Sequence, residues 1–116
     1  MPTPARAELE RALLEIRRAA ERLRSYEPAL ADQLKSTIGR HIVLVGQAQG
    51  LPPEGRVQCE RIVAQGKAVT DCIERAVQYP AQITARADVL DRASMLARMI
   101  RDLLGSLSPP PQAGNS

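Results

Sequence analysis

Two stretches of the chain, one near each end, carry apolar residues at alternating spacings of three and four. The N-terminal stripe consists of Leu9, Leu13, Ile16, Ala20 and Leu23. The C-terminal stripe consists of Val89, Ala93, Leu96, Ile100, Leu103 and Leu107. Because this spacing follows the α-helical period, each set lies along one side of a helix, and charged residues flank it. The pattern predicts one helix over residues 5–25 and another over about 81–107.

Prolines and glycines divide the middle of the chain. Residues 25–28 should interrupt the first helix, since the residue before Pro28 avoids the helical conformation. A second helix is expected over residues 28–49, although the apolar run at 41–45 is rich in β-branched residues and could form a strand. No other stretch would pair with that strand, so a helix is favoured. Residues 50–55 resemble a loop, and a third helix is expected over about 56–78.

These elements predict an all-α fold, a small bundle of about four helices. We expect residues 1–107 to form a single domain and the proline-rich residues 108–116 to be a disordered tail. The chain has no Phe, no Trp and only two Tyr, so its core must be built from Leu, Ile, Val, Ala and Met. Such a core is thin for a small domain, and we therefore expect a homodimer that buries further surface.

The two cysteines and the absence of long apolar runs bear on the location. Cys59 and Cys72 lie thirteen residues apart in one expected helix, about 20 Å along its axis, too far for a disulfide. Two free, buried thiols are expected, with an intermolecular disulfide as the alternative. No stretch approaches the ~20 apolar residues that span a bilayer, and the first residues lack the apolar core of a signal peptide. A cytoplasmic protein without membrane contact is expected.

Motifs for catalysis or cofactor binding are missing. The single histidine, His41, precedes four apolar residues, which favours a structural role over a phosphate-accepting one. His41, Cys59 and Cys72 lack the close ligand pairs of a zinc site, and no motif supports a Cys–His nucleophile. Asp88 and Asp91 fall beside Arg92 and suggest solvated ion pairs. We expect no enzyme, no cofactor and no metal.

The charge balance bears on the choice of partner. Sixteen Lys and Arg stand against thirteen Asp and Glu, a formal net charge of +3. The acidic residues alternate with the basic ones along the chain, whereas a nucleic-acid binder more often has a one-sided basic stripe. Stacking aromatics are also missing. This pattern favours a protein partner, with a basic helical DNA-binding regulator or a secretion-system chaperone or scaffold as alternatives.

The two stripes are the candidate contact surfaces for that partner. An apolar helix face can dock in a groove of another protein, and arginines beside it can pair with acidic residues there. The candidate partner-binding residues are Leu9, Leu13, Ile16, Leu96, Ile100 and Leu103. The alternative is that both stripes face only the chain's own core.

A lone helical domain of this size, with the Leu9–Leu23 stripe, Arg-rich faces and no active site, resembles the small helical anti-activators of bacterial quorum sensing, the QslA-like proteins. The resemblance concerns the general plan of residues 5–107 and carries no diagnostic motif or individual residue. It implies a protein that binds a LuxR-type transcription activator and keeps it from acting on DNA, by covering the surface that the activator needs for dimerisation.

Overall fold

The computed structural model describes residues 6–24 and 27–107, and four helices account for most of them. They are α1 (Arg6–Arg22), α2 (Pro28–Gly46), α3 (Pro53–Gln78) and α4 (Ile83–Leu107). No strand occurs in these ranges. The predicted all-α bundle is therefore confirmed.

The helices form a closed ring in chain order. Each packs against its two neighbours, α1 on α2, α2 on α3, α3 on α4 and α4 on α1. Two side-chain hydrogen bonds join antiparallel neighbours. Arg6 Nη1 donates to the carbonyl of Leu107 at 3.1 Å, and Gln65 Nε2 donates to the carbonyl of Arg92 at 3.0 Å. This up-and-down arrangement makes α1 and α4, the two ends of the chain, direct neighbours.

The core is entirely apolar among the described residues, with no buried polar or charged side chain. Leu, Ile, Val, Ala and Cys supply it, and the largest side chains that are fully enclosed are Leu13, Ile16, Leu23, Ile38, Ile62, Ile73, Leu96, Ile100 and Leu103. Both end stripes thus point into the same core. Burying each Leu or Ile contributes about 1.5–3 kcal/mol, so the single chain closes a core of its own without large aromatic rings.

The run at residues 41–45 is helical, which excludes the alternative of a short strand there. Ile38, Ile42 and Val45 are buried at spacings of four and three, along the face of α2 that meets the core. Helix α2 begins at Pro28, as predicted, and ends at Gly46, before the expected end at residue 49. Ile42 and Val45 therefore serve packing here, whereas Val43 is 59% exposed.

Helix α3 begins at Pro53, earlier than the expected residue 56. Pro52 is extended, with φ −61° and ψ 160°, and Pro53 occupies the first turn, where a missing N–H costs nothing. Arg56 N–H then donates to the carbonyl of Pro52 at 3.0 Å. Helix α4 begins at Ile83, after a turn in which Gln82 N–H donates to the carbonyl of Tyr79 at 3.0 Å. The predicted tail at 108–116 lies outside the described residues.

Candidate functional site

The six residues expected to bind a partner all lie inside the bundle. Leu9 is 2% exposed, and Leu13, Ile16, Leu96, Ile100 and Leu103 are each 0% exposed. This is the placement that the alternative interpretation describes, with both stripes facing the chain's own core. A partner would reach these side chains only if the bundle opened. A docking surface on the closed bundle must therefore be sought among other residues.

Charged residues of α4 line grooves on two sides of the helix. Arg98 and Arg101 line the groove between α4 and α1. Asp102 lines the groove between α4 and α3, together with Met95 and Met99. The α4 residues in the groove beside α1 therefore include two arginines and no carboxylate, although acids and bases alternate along the sequence.

Helix α1 completes a positively charged groove of about 360 Å³. We call it the arginine groove, and its lining residues are Arg17, Ala20, Glu21, Arg24, Ser94, Ala97, Arg98 and Arg101. The small side chains form its floor: Ala20 is buried, Ala97 is half-buried and Ser94 is exposed. Four guanidinium groups and one carboxylate stand above this floor.

Ion pairing within the groove leaves much of its positive charge unmatched. Arg17 Nε lies 3.3 Å from Glu21 Oε2. Arg101 Nε lies 3.9 Å from Asp102 Oδ1, with both side chains about two-thirds exposed, so that pair is weak. Among the described residues, neither Arg24 nor Arg98 forms an ion pair. The groove therefore offers guanidinium donors to an anionic ligand.

A guanidinium group presents a planar set of N–H donors that matches the two oxygens of a carboxylate. Several such groups along one groove suit a ligand that carries more than one acidic group. The sequence interpretation missed this surface because it weighed the order of charges along the chain. No signal within one helix finds it, because the groove exists only where α1 packs against α4.

The remaining chemically distinctive groups do not form a second site. Cys59 and Cys72 are free and buried. Burial, with Glu60 nearby, raises the pKa of the Cys59 thiol, which makes it a poor nucleophile at neutral pH. His41 Nδ1 lies 2.8 Å from the carbonyl oxygen of Thr37, one turn earlier in α2. Within the described ranges, no three His, Cys, Asp or Glu side chains are grouped to hold a metal ion.

None of the described helices is both long and apolar enough to cross a bilayer. Comparison with protein-family models, curated protein sequences and solved structures finds no match to this chain.

Proposed function

We propose that this protein is a cytoplasmic regulatory module, without catalytic activity, that binds an acidic segment of another protein in the arginine groove. The observation that carries the proposal is that Arg24 and Arg98 line one groove with small side chains and that neither forms an ion pair within the described part of the chain. A partner that brings carboxylates to this floor would form charge-assisted hydrogen bonds that the free protein lacks. The two free thiols agree with a reducing compartment.

A role as an anti-activator is the more specific form of this proposal. The partner would then be a LuxR-type transcription activator, and the acidic segment would belong to the surface that the activator uses for dimerisation or DNA binding. The buried stripes would hold the bundle together, and the groove would make the contact. Addition of the protein should then release such an activator from its DNA site.

A DNA-binding regulator is the second candidate, and the four arginines of the groove are the observation in its favour. One feature favours a protein partner instead. The groove holds four arginines, fewer than the six to ten phosphate contacts of a typical strongly salt-dependent DNA-binding protein.

Homodimerisation is a separate proposal. Val57 and Met95 are 45% and 55% exposed, respectively, and each lines a cavity on the α3–α4 side of the bundle. Two copies that met there would cover both side chains. Sedimentation of the pure protein over a range of concentrations measures this directly, and Met95→Glu should shift a dimer towards monomer.

Capture experiments with matched variants test the main proposal. The groove variant Arg24→Gln/Arg98→Gln removes two positive charges from the groove. The control variant Arg11→Gln/Arg40→Gln removes two from exposed positions elsewhere on α1 and α2. Each protein is immobilised and exposed to native extract and to a labelled DNA duplex of mixed sequence. We expect one protein partner that the wild type and the control variant retain and the groove variant loses.

Two results would contradict the proposal. Equal retention of the partner by the groove variant would place the contact on another surface. Retention of the DNA duplex by the wild type and the control variant, with loss in the groove variant, would assign the groove to nucleic acid. Circular dichroism spectra and melting curves of all three proteins establish that the substitutions leave the bundle folded.

A further inference from the structure

Building on the proposed function, we infer that the occupant of the arginine groove is an acidic α-helix, which lies along α1 and α4 as a fifth helix of the bundle. Its carboxylates would be spaced one and two helical turns apart on a single face. The inference rests on the spacing of the arginines and on the shape of the floor between them.

The spacing of the arginines matches that of side chains on a helix. Arg17 of α1 and Arg24 of the turn that follows α1 are seven residues apart, and both line the groove. Hydrogen bonds from Leu23 N–H to the carbonyl of Ala20 and from Arg24 N–H to that of Glu21 continue the last turn, so the two arginines are separated by about 10 Å along the axis. On the opposite wall, Arg98 and Arg101 are three residues apart, about one turn. A helix laid between the walls would present carboxylates at positions i and i+7 to the first pair. A carboxylate at i+4 would face the second pair.

An extended segment fits these positions less well. A β-strand rises about 3.3 Å per residue and directs alternate side chains to opposite faces. Carboxylates on one face of a strand would be about 6.6 or 13 Å apart. Neither distance matches two helical turns, so an extended acidic peptide would meet Arg17 or Arg24 but not both in register.

The floor of the groove admits a helix. Ala20, Ser94 and Ala97 lie between the arginine walls, and none carries a side chain larger than a hydroxymethyl group. Packed helix axes are typically 8–10 Å apart, and small residues at the contact permit the shorter distances. The arginine stems can then lie along the sides of the incoming helix while their guanidinium groups reach its carboxylates.

Helix α1 offers an apolar contact just outside the groove, at Leu14. Leu14 is 39% exposed and lies one turn before Arg17 on the outer side of α1. Leu14, Arg17, Glu21 and Arg24 follow one another at spacings of three and four. The fifth helix should therefore carry an apolar residue about one turn beyond the carboxylate that meets Arg17.

Two synthetic peptides of equal composition test the inference. Each is rich in alanine and contains three glutamates. Each has 21 residues, a length sufficient for a stable isolated helix. In the first peptide the glutamates occupy positions i, i+4 and i+7, on one face. In the second they occupy i, i+5 and i+10, spread around the helix. Circular dichroism verifies equal helix content, and fluorescence anisotropy of the labelled peptides measures binding to the intact protein at low ionic strength.

We expect the first peptide to bind about tenfold more tightly than the second, since exposed ion pairs each change affinity by up to about fivefold. Arg24→Gln/Arg98→Gln should remove this preference, and Arg11→Gln/Arg40→Gln should retain it. Equal binding of the two peptides to the wild type, lost in the groove variant, would overturn the helical occupant but not the proposal that the arginine groove binds an acidic segment. Failure of both peptides and of polyglutamate to bind would overturn the proposed function as well.

Discussion

Gly66 of α3 lies so close to Ile42 of α2 that a side chain added at Gly66 would collide with Ile42. A Cβ atom built on Gly66 would lie 2.7 Å from Ile42 Cγ2 and 3.6 Å from Ile38 Cγ2. Gly66 is buried in α3, and its missing side chain permits this close approach. This contact sets the distance between α2 and α3 at Gly66 and Ile42.

Gly66→Ala should destabilise the protein even though alanine favours helices more than glycine does. The added methyl group must displace Ile42, and overpacking of this kind costs about 1–3 kcal/mol. Gly39→Ala is the matched control, because Gly39 is also inside a helix and a methyl group added there would meet no neighbouring side chain within 4 Å. That substitution should stabilise by about 0.5–1 kcal/mol. Urea unfolding measures both, and a Gly66→Ala variant as stable as Gly39→Ala would contradict the close packing.

Leu96 and Met95 are adjacent on α4, yet a charge should affect them very differently. Leu96 is 0% exposed, whereas Met95 is 55% exposed. Leu96→Glu buries a carboxylate without a partner. The free-energy cost of that burial equals or exceeds most of the about 5–15 kcal/mol by which an ordinary domain is stable. Leu96→Glu should therefore unfold the protein, and Met95→Glu should change its stability by less than about 0.5 kcal/mol.

Far-ultraviolet circular dichroism and thermal melting distinguish these outcomes. A Leu96→Glu protein that melts like Met95→Glu would show that the C-terminal stripe does not face the core. The same two variants serve as a control in binding assays. Loss of partner binding in Leu96→Glu but not in Met95→Glu would result from unfolding.

The sequence was sufficient for the helices but not for the role of their apolar faces. The spacing of Leu9 to Leu23 predicts a helix whether the surface it packs against belongs to the same chain or to another, because the period is identical in both cases. Only the packing of α1 against α4 in the structure shows that each helix covers the apolar stripe of the other. The loop predicted at residues 50–55 is too long at its C-terminal end. Pro53 and Gly55 are poor helix formers, but the first turn of α3 tolerates both.

The arginine groove could not be predicted from sequence for a related reason. Arg24 and Arg98 are far apart in the chain and line one groove only because α1 and α4 are neighbours in the bundle. A count of charges along the chain, or their alternation, contains no information on that pairing.

Cys59 should make the stability of the protein fall at alkaline pH. Burial raises the pKa of its thiol in the folded state, with a smaller contribution from Glu60. A group with a raised pKa is fully stabilising below the pKa of the unfolded thiol. This contribution is lost as pH rises through the folded pKa. Urea unfolding at neutral pH and at pH ~10 should show a smaller alkaline loss in Cys59→Ala than in the wild type.

Thiol labelling checks the same group independently. Iodoacetamide reacts with the thiolate, so Cys59 should be modified slowly in the folded protein at neutral pH and faster once urea unfolds it. Mass spectrometry of tryptic peptides identifies the modified residue. Rapid labelling of Cys59 in the folded state at neutral pH would contradict its burial.

Arg6 should stabilise the end of the bundle where α1 begins and α4 ends. Its Nη1 donates to the carbonyl of Leu107 at 3.1 Å, one of the last carbonyls of α4, which has no partner within that helix. A positive charge is also favourable at a helix C-terminus. Arg6→Ala should therefore cost about 0.5–1.5 kcal/mol and increase amide hydrogen exchange in the last turn of α4. Arg11→Ala, a substitution at an exposed position of the same helix, should leave that exchange unchanged. Equal exchange in the two variants would mean that α1 and α4 are held together by their apolar faces alone.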